Sequence, residues 1–540
     1  MKRNQFIKNI FSFKEEKAEK EFILSEYNET ENQNFYDKHA KKDCKVSKSL
    51  DYNRNFIKEL FNFGKNSDLI IRDFEYTLND EKIPAFIVFF DGMVNNAMMG
   101  ERILEPAMRN IYADIKADKL DDYSVKNIIS QNQCSLSKDF NKIADMVNFG
   151  AGVVFIEGNS NAVIADVKGW ERRTVTPPKT ESVIKGPHES FNETLKTNTS
   201  LVRKILKNSN FVAETIEVGE MSKSLVNIYY IKNLTNDSLV EEVRRRISGI
   251  DVSYIMDTGE LEQMICNDNC MLTPMMLSTE RPDRVAMALN EGKMAVMMDG
   301  SPYALILPVN INSFLNLTED RYLKPAMTNF LRIIRTFSIF ISLLLPGFFV
   351  SVVGFHPEIL ESELFFAIES AKAGTPFPLI IEIIFMEFAF ELIKEAGLRI
   401  PGQIGSTIGI VGALILGQAA VDANLATPIL IIIVALTGLG SFATPNYDFA
   451  FSIRITRFFY TLGGALYGFF GLAIVAALHI SFLCSKDSFG VPFFAPAVPR
   501  TGKNTFDSFF VRAFWKQEIR DDALQAKIKV KQPGISRKWL

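Results

Sequence analysis

Long apolar runs recur between Asn329 and Cys484, and they constrain the fold more than any other feature of the sequence. A helix needs roughly 20 apolar residues to cross the hydrocarbon core of a bilayer, and these runs approach or exceed that length. The chain before about Leu323 instead carries the charges and turn residues of a globular protein. The sequence therefore predicts a soluble N-terminal region followed by an all-α, polytopic membrane region.

Five segments of the apolar region are candidate membrane helices. They are Ile333–Phe355, Leu379–Ala396, Ile404–Val421, Pro428–Ala443 and Phe458–Cys484. Five crossings agree with the tendency of basic residues to stay inside, but they place the basic C-terminal tail outside. Four crossings return the tail to the cytoplasm if the second segment is interfacial or re-entrant, but they leave Arg454 and Arg457 on the wrong side. We favour four crossings because the second segment is the weakest span, and both schemes remain open.

The second segment carries glutamates where a lipid-facing helix would not. Glu387, Glu391 and Glu395 form one stripe at a spacing of four residues. Glu382 lies on nearly the opposite side of the same helix. Each carboxylate would cost about 2.5–3.5 kcal/mol at the bilayer centre, so neither face suits lipid tails. Three interpretations remain open: an amphipathic helix in the interface, a buried hydrogen-bond network, or the border of an aqueous, cation-attracting route.

Small residues recur every four positions in the third apolar segment. They are Gly405, Gly409, Ala413 and Gly417, with Gly412 close by. This spacing places the small residues on one helix face and permits close approach of another helix. Tight packing within one subunit is the interpretation that we favour, and a smooth helix lining a pathway in an oligomer is the alternative.

The soluble region has the composition of a binding or assembly module. Residues 1–67 are rich in Lys, Glu, Asn and Ser, which predicts a charged and largely disordered arm. Strand-like and helical stretches then alternate, which predicts two small α/β subdomains at 68–185 and 186–325. A membrane domain at 326–484 and a basic tail at 485–540 complete the predicted organisation.

No pattern in the sequence indicates an enzyme. The soluble region has no glycine-rich phosphate loop and no Ser-x-x-Lys or His-x-x-x-His pattern, and the whole chain has four histidines. The five cysteines have no disulfide spacing, and Cys266–Cys270 lacks a second Cys/His pair at zinc spacing. The N-terminus lacks the features of a signal peptide, which favours a cytoplasmic soluble region. We expect no catalytic residue, metal site, cofactor or nucleic-acid partner.

Several linked motifs resemble the A subunit of GerA-type spore germinant receptors. They are PKTESVIKGPHESFNETLKTN from Pro178, TERPDRVAMALNEGKMAVMMDGSPYALILP from Thr279, ISLLLPGFFVSVVGFHPE from Ile341, PFPLIIEIIFMEFAFELIKEAGLRIP from Pro376, GIVGALILGQAAVDA from Gly409 and SFGVPFFAPAVP from Ser488. The resemblance covers the chain from about Asp68 to Pro499. In the family, Glu382, Glu387 and Glu391 belong to the acidic helix motif, and the stretch from Gly409 belongs to a small-residue membrane helix.

The resemblance implies a non-enzymatic, multi-pass receptor subunit in the inner membrane of a dormant spore, with its soluble region on the core side. It implies a transporter-like B subunit, a lipoprotein C subunit and membrane lipid as partners. A small nutrient germinant, bound directly or through a partner, would start release of monovalent cations and then dipicolinate. We therefore predict a homo-oligomer that forms or gates a cation pathway. A non-conducting signalling scaffold is the alternative.

Overall fold

The computed structural model describes residues 22–25, 45–169, 178, 180–267, 272–399, 412, 415–499 and 510–532. Its strands are β1 (Leu69–Leu78), β2 (Glu81–Phe90), β3 (Asn110–Ile111), β4 (Cys134–Ser137), β5 (Gly152–Ile156), β6 (Ala162–Ala165), β7 (Phe211–Val218), β8 (Ser224–Ile231), β9 (Leu277–Thr279), β10 (Met294–Met298), β11 (Ala304–Leu307), β12 (Asp487–Ser488) and β13 (Val491–Pro492). The α-helices are α1 (Leu50–Leu60), α2 (Asn96–Met99), α3 (Glu105–Met108), α4 (Leu120–Tyr123), α5 (Phe140–Asn148), α6 (Leu195–Ile205), α7 (Asp237–Ser248), α8 (Thr258–Ile265), α9 (Pro282–Asn290), α10 (Ile311–Leu315), α11 (Pro325–Phe355), α12 (Ser362–Lys372), α13 (Leu379–Arg399), α14 (Pro428–Phe442) and α15 (Tyr447–Cys484). Two π-helical turns lie at Gly100–Leu104 and Ser124–Ile128, and short 3₁₀ turns lie at Ala117–Lys119, Thr318–Arg321, Pro357–Ile359, Phe514–Lys516 and Asp522–Leu524.

The first α/β unit is built on a six-stranded sheet of order β3-β1-β2-β5-β6-β4. Its central hairpin, β1–β2, turns through Asn79 and Asp80, both at positive φ, which matches the right-handed twist of the paired strands. On one face, α1 buries Ile57 and Phe61 in the same core as Phe155 of β5. On the other face, the α2–α4 segments close a second core.

The prediction that residues 1–67 form a disordered arm is corrected in part, because the last residues of this range belong to the first α/β unit. Residues 45–67 are ordered, because the apolar side chains of α1 pack on the first sheet. Ser49 caps α1 by accepting a hydrogen bond from the backbone N–H of Tyr52. The remainder of the predicted arm lies outside the described ranges, apart from residues 22–25.

The second α/β unit is an antiparallel five-stranded sheet of order β7-β8-β10-β11-β9. Helices α7 and α8 cover one face, and α6 and α9 cover the other. A buried ion pair joins the two units: Arg203 of α6 donates from Nε to Asp68 Oδ2 at 2.5 Å and from Nη2 to Asp68 Oδ1 at 2.7 Å. Its guanidinium also lies 3.8 Å from the Phe90 ring centroid of β2. The same guanidinium lies 4.7 Å from the ring centroid of Phe211 in β7, so this one side chain contacts both sheets.

The described residues between Pro325 and Cys484 are mostly helical. Among the described residues, two helices are long and apolar enough to cross a membrane, α11 and α15, while α14 is apolar but shorter. Residues 415–422 are also helical. Helix α13 has the length of a membrane span but carries more charge than α11 or α15.

Helix α15 is a helical hairpin rather than one rod. Tyr467 and Gly468 leave helical geometry, with Gly468 at φ +58° and ψ −140°. Tyr460 and His479, on opposite sides of this break, are joined by a 3.1 Å hydrogen bond between the Tyr460 hydroxyl and His479 Nδ1. The single predicted span Phe458–Cys484 is therefore corrected to parts of two antiparallel helices, because a backbone without Cβ permits the reversal at Gly468.

The hairpin tip and the hairpin ends lie at opposite ends of α11. A Cβ added to Gly468 would lie 3.0 Å from Cβ of Phe355, the last residue of α11. The ends of the hairpin, at Phe449 and Leu483, share a core with the second α/β unit. Phe449 stacks on Phe314 of α10 with ring centroids 5.3 Å apart. The two halves of α15 therefore run alongside part of α11, one outward and one back.

Helix α14 is antiparallel to α11. A Cβ added to Gly440, near the end of α14, would lie 2.7 Å from the carbonyl oxygen of Ser338 in the first half of α11. Leu430, in its first turn, shares a core with Val353 near the end of α11. Helix α14 therefore leads back towards the second α/β unit.

Helix α13 runs parallel to α14, and the helical residues 415–422 run between them in the opposite direction. The start of α13 shares the core at the far end of α11, and Lys394 near its end donates to Ser441 of α14 at 3.1 Å. Gly412 contacts Ile393, while Ala420 returns to the core beside the start of α13. Successive segments of the described bundle, α11, α13, residues 415–422, α14 and the two halves of α15, therefore alternate in direction.

The chain after α15 packs on the second α/β unit. Phe493 lies in its core, and Leu524, Ala526 and Ile528 fill gaps beside its helices. Arg520 donates from Nε to the carbonyl oxygen of Asn290 at 2.9 Å. The described part of the predicted tail is therefore integral to the second unit.

Candidate functional site

The glutamates of α13 meet basic side chains of the hairpin. Arg457 places its Nε 3.5 Å from Glu387 Oε2 and its Nη2 3.8 Å from Glu391 Oε2. Arg454 makes a direct ion pair with Glu391 through Nη1 and Oε1. Two glutamates four residues apart on one helix thus face two arginines three residues apart on another, since both spacings keep side chains on one face.

This charged cluster is buried. Glu387 has no exposed surface, and Arg454 and Arg457 are each 4% exposed. Ionised groups lose hydration when they are buried, so each charge depends on its partner. Glu387 therefore faces protein rather than lipid, whereas the side chain of Glu391 is 30% exposed and pairs with the buried arginines.

Hydrogen bonding within the cluster is incomplete. Neither carboxylate oxygen of Glu387 has a hydrogen-bond partner among the described residues, and the same holds for Nε of Arg457. Their 3.5 Å separation is an ion pair without a directed hydrogen bond. Only part of the interaction that these charges could make is therefore used in this arrangement.

Glu382 and Lys394 lie apart from the paired charges. Glu382 is 1% exposed, and its Oε1 accepts a 2.8 Å hydrogen bond from Thr375 Oγ1. Its Oε2 has no partner in the part of the chain that the structure describes. The ammonium of Lys394 lies 4.1 Å from the Phe442 ring centroid and donates to Ser441. Glu395, the last member of the stripe, is exposed.

The small-residue stretch is described only in part. Gly405, Gly409 and Ala413 lie outside the described residues. A Cβ added to Gly412 would lie 3.7 Å from Ile393, and one added to Gly417 would lie 3.5 Å from Ile431, which are ordinary van der Waals distances. The two described glycines thus contact α13 and α14 of their own chain.

Sequence reasoning did not anticipate two features of this bundle. In the sequence, Arg454 and Arg457 were considered only for membrane orientation. Two arginines three residues apart in an apolar helix nevertheless have the spacing to pair with the glutamates of α13. A helix contact closer than those of Gly412 and Gly417 also lies elsewhere: a Cβ added to Gly464 of α15 would lie 2.5 Å from the Gly347 carbonyl oxygen of α11. Its sequence signal, Gly463 and Gly464 in an apolar run, was not used.

Over the described residues, no group of three or more His, Cys, Asp or Glu side chains is arranged to hold a metal ion. Cys134, Cys266 and Cys484 form no disulfide with any described residue. Cys44 and Cys270 lie outside the described residues.

Comparison with known proteins gives consistent matches. The family model described as Bacillus/Clostridium GerA spore germination protein matches residues 55–523. Spore germination protein KA of Bacillus subtilis (strain 168) is 33% identical over 469 residues, which cover 87% of this chain and 86% of that protein. Spore germination protein GerLA of Bacillus cereus is 32% identical over 475 residues, which cover 87% of this chain and 95% of that protein. The family match extends beyond both ends of the 68–499 range that the motifs covered.

One solved structure also matches part of the chain. It is the crystal structure of the N-terminal domain of the A subunit of the Bacillus megaterium spore germinant receptor GerK3. The match has a TM-score of 0.40 and 26% sequence identity, and it covers 50% of this chain and 98% of that chain.

Proposed function

The chain belongs to the Bacillus/Clostridium GerA spore germination protein family, and from this premise we propose that it is a germinant-receptor subunit in the inner membrane of a dormant spore. It works with a transporter-like B subunit and a lipoprotein C subunit, in contact with membrane lipid. A small nutrient, bound directly or through a partner, starts germination. Its role is to transmit the signal rather than to catalyse a reaction.

The direction of the helices supports a multi-pass arrangement for this subunit. Among the described residues, α11, residues 415–422 and the first half of α15 lead away from the second α/β unit, and α13, α14 and the second half of α15 lead back towards it. We propose that these six segments belong to six membrane crossings. An even number of crossings returns the chain to the side on which it started. This agrees with the tail, which packs on the same α/β unit from which α11 departs. In this proposal, both α/β units and the tail lie on the spore-core side.

The buried charged cluster is the observation that carries the signalling role. Arg454 and Arg457 belong to a hairpin whose ends pack on the second α/β unit, and their partners Glu387 and Glu391 belong to a different helix. A displacement of the α/β unit would move the arginines relative to the glutamates. Because the unpaired charges would be costly in this buried place, such a movement favours a second arrangement of the bundle.

A cation pathway in a homo-oligomer is the second candidate function. Glu382 supports it, because its buried Oε2 has no hydrogen-bond partner among the described residues and carboxylate oxygens suit hard cations. In this arrangement, the small residues of the third segment would line or pack around the constriction. They are Gly405, Gly409, Gly412, Ala413 and Gly417.

Germination of spores that lack the gene tests the receptor role. We expect the deletion strain to lose dipicolinate release in response to at least one nutrient, and a restored native copy to recover it. Spores that respond normally to every amino acid and sugar tested would contradict the proposal.

Cation flux through vesicles that contain the purified protein, alone and with the B and C subunits, separates the two candidates. A cation-selective flux that Glu382→Gln reduces would favour the pathway, and no flux from folded protein would favour the scaffold.

A further inference from the structure

A cavity of about 690 Å³ lies where the second α/β unit meets the helical bundle. Helix α8 of the α/β unit forms one wall, with Thr258 and Glu262. The opposite wall is formed by the adjacent ends of α13, α14 and α15, with Lys394, Thr444 and Arg454. The volume is within the usual range for a pocket that holds a small organic ligand.

The cavity presents charges of both signs. Asp257 and Glu262 come from the cap and body of α8, and Asp448 comes from the first turn of α15. Lys394 and Arg454 supply the positive charges from α13 and α15. A ligand with a single charge would be complementary to only one of these two sets, whereas a molecule that carries both charges would be complementary to the whole cavity.

Two buried polar atoms of the lining have no hydrogen-bond partner among the described residues. Thr444 is 7% exposed and Arg454 is 4% exposed, and neither Thr444 Oγ1 nor Arg454 Nε makes a hydrogen bond to any described residue. Most buried polar atoms in proteins are hydrogen-bonded, so two orphan donors in one cavity indicate a missing acceptor. A carboxylate accepts from both a hydroxyl and a guanidinium N–H.

We propose that this cavity binds a free α-amino acid, with the carboxylate of the ligand at Thr444 and Arg454 and its ammonium group at Glu262 and Asp448. The proposal rests on the receptor function above and names the class of its ligand. Burial and the charge of Asp448 raise the pKa of Glu262 to about 7. An ammonium group beside Glu262 would favour its ionised form and offset that repulsion.

A ligand bound at this position would directly affect the ion pair between Arg454 and Glu391. Arg454 lines the cavity and also pairs with Glu391 of α13. A ligand carboxylate at Arg454 Nε adds a second anion to the same guanidinium and weakens its preference for Glu391. The ligand would therefore change the relative stability of the two helix arrangements, as a signal requires.

Ligand binding to the purified full-length protein in nanodiscs tests the proposal. Each of the twenty protein amino acids is added separately and the melting temperature is recorded. For any amino acid that raises it, titration calorimetry compares that amino acid with its amide, which lacks the negative charge, and with its deaminated acid, which lacks the positive charge. We expect at least tenfold weaker binding for both derivatives, and at least tenfold weaker binding of the amino acid to Thr444→Val and to Glu262→Gln.

The control variant is Glu363→Gln, which changes an exposed carboxylate of α12 far from the cavity and should bind normally. No stabilisation by any amino acid would overturn the proposal, and so would binding that both cavity variants retain. Equal binding of one singly charged derivative would also overturn it. Because the receptor role is tested by deletion in spores, a spore defect without binding rejects only this inference, while binding without a spore defect rejects the receptor role.

Discussion

Arg457 of the hairpin lies against Glu387 of α13, with 3.5 Å between Arg457 Nε and Glu387 Oε2, and both side chains are buried. The two residues are 70 positions apart in the chain, so neither helix could indicate this partner by its own periodicity. The contact explains why an apolar helix tolerates Glu387: the carboxylate faces a guanidinium instead of lipid. It also makes the pair a sensitive point for mutation.

Replacement of Glu387 should destabilise the bundle. Glu387→Gln leaves Arg457 buried with only the more distant Glu391 carboxylate, and loss of one partner of a buried ion pair costs about 3–5 kcal/mol. Unfolding of the purified protein in a mild detergent, followed by circular dichroism, measures the loss. Glu363→Gln, an exposed change, serves as the control. A stable Glu387→Gln protein with altered cation release in spores would instead favour the pathway candidate.

The charge pair should also show non-additivity. The double variant, Glu387→Gln with Arg457→Gln, removes both charges and leaves neither one unpaired. Its loss of unfolding free energy should therefore be about 1–3 kcal/mol smaller than the sum of the losses in the two single variants. The same unfolding experiment on four proteins completes the cycle. Strict additivity would mean that the two charges do not interact in the folded protein.

The glycine contact between α11 and α15 should not accept a larger residue. In Gly464→Ala the new methyl group would lie 2.5 Å from the Gly347 carbonyl oxygen and 2.7 Å from Ser351 Oγ, so the helices must separate. We expect a loss of about 1–3 kcal/mol in unfolding free energy. Gly354→Ala is the matched control, because nothing lies within 4 Å of its added Cβ, and stability should be unchanged or raised by up to about 1 kcal/mol. Equal effects of the two variants would contradict the packing.

The hairpin geometry of α15 can be tested by labelling in a cysteine-free background. A cysteine at Tyr467, at the tip, should react with a membrane-impermeant maleimide from the side opposite to a cysteine at Glu220 in the second α/β unit. A cysteine at Lys516, in the tail, should react from the same side as Glu220. All three positions are exposed. Labelling of Glu220 and Lys516 from opposite sides would rule out the even number of crossings.

Protonation of Glu262 should make stability depend on pH. Burial and the Asp448 charge raise the pKa of Glu262 from 4.5 to about 7, so the folded protein holds this proton where the unfolded chain has lost it. The resulting stabilisation is present below pH 4.5 and is lost as pH rises to about 7. The stability of native protein relative to Glu262→Gln should therefore fall between these values and then level off. Parallel curves for the two proteins would contradict the shift.

The same group should make ligand binding depend on pH. Binding of an amino acid by the proposed site should strengthen as pH rises through about 7, because the ionised Glu262 attracts the ligand ammonium. The other charged groups that line the cavity are Asp257, Asp448, Lys394 and Arg454. Titration calorimetry between pH 6 and 8 measures the change, which Glu262→Gln should remove. A pH-independent affinity in the native protein would contradict the assignment of the ammonium site.

The sequence alone determined the properties that depend on local spacing and composition. Apolar runs predicted the helical C-terminal region, alternation of strands and helices predicted the α/β units, and linked motifs identified the family. Helical periodicity also placed Glu387 and Glu391 on one face. These features are visible because residues within a few positions of one another decide them.

Only the tertiary structure decided which surfaces meet. A spacing of four shows that two glutamates share a face, but the partner of that face lies more than 60 residues away in α15. The reversal at Gly468 and the packing of α1 on the first sheet depend in the same way on contacts distant in sequence. Local periodicity specifies the direction of a side chain, whereas its partner follows from how helices and sheets pack to bury apolar surface and pair buried charges.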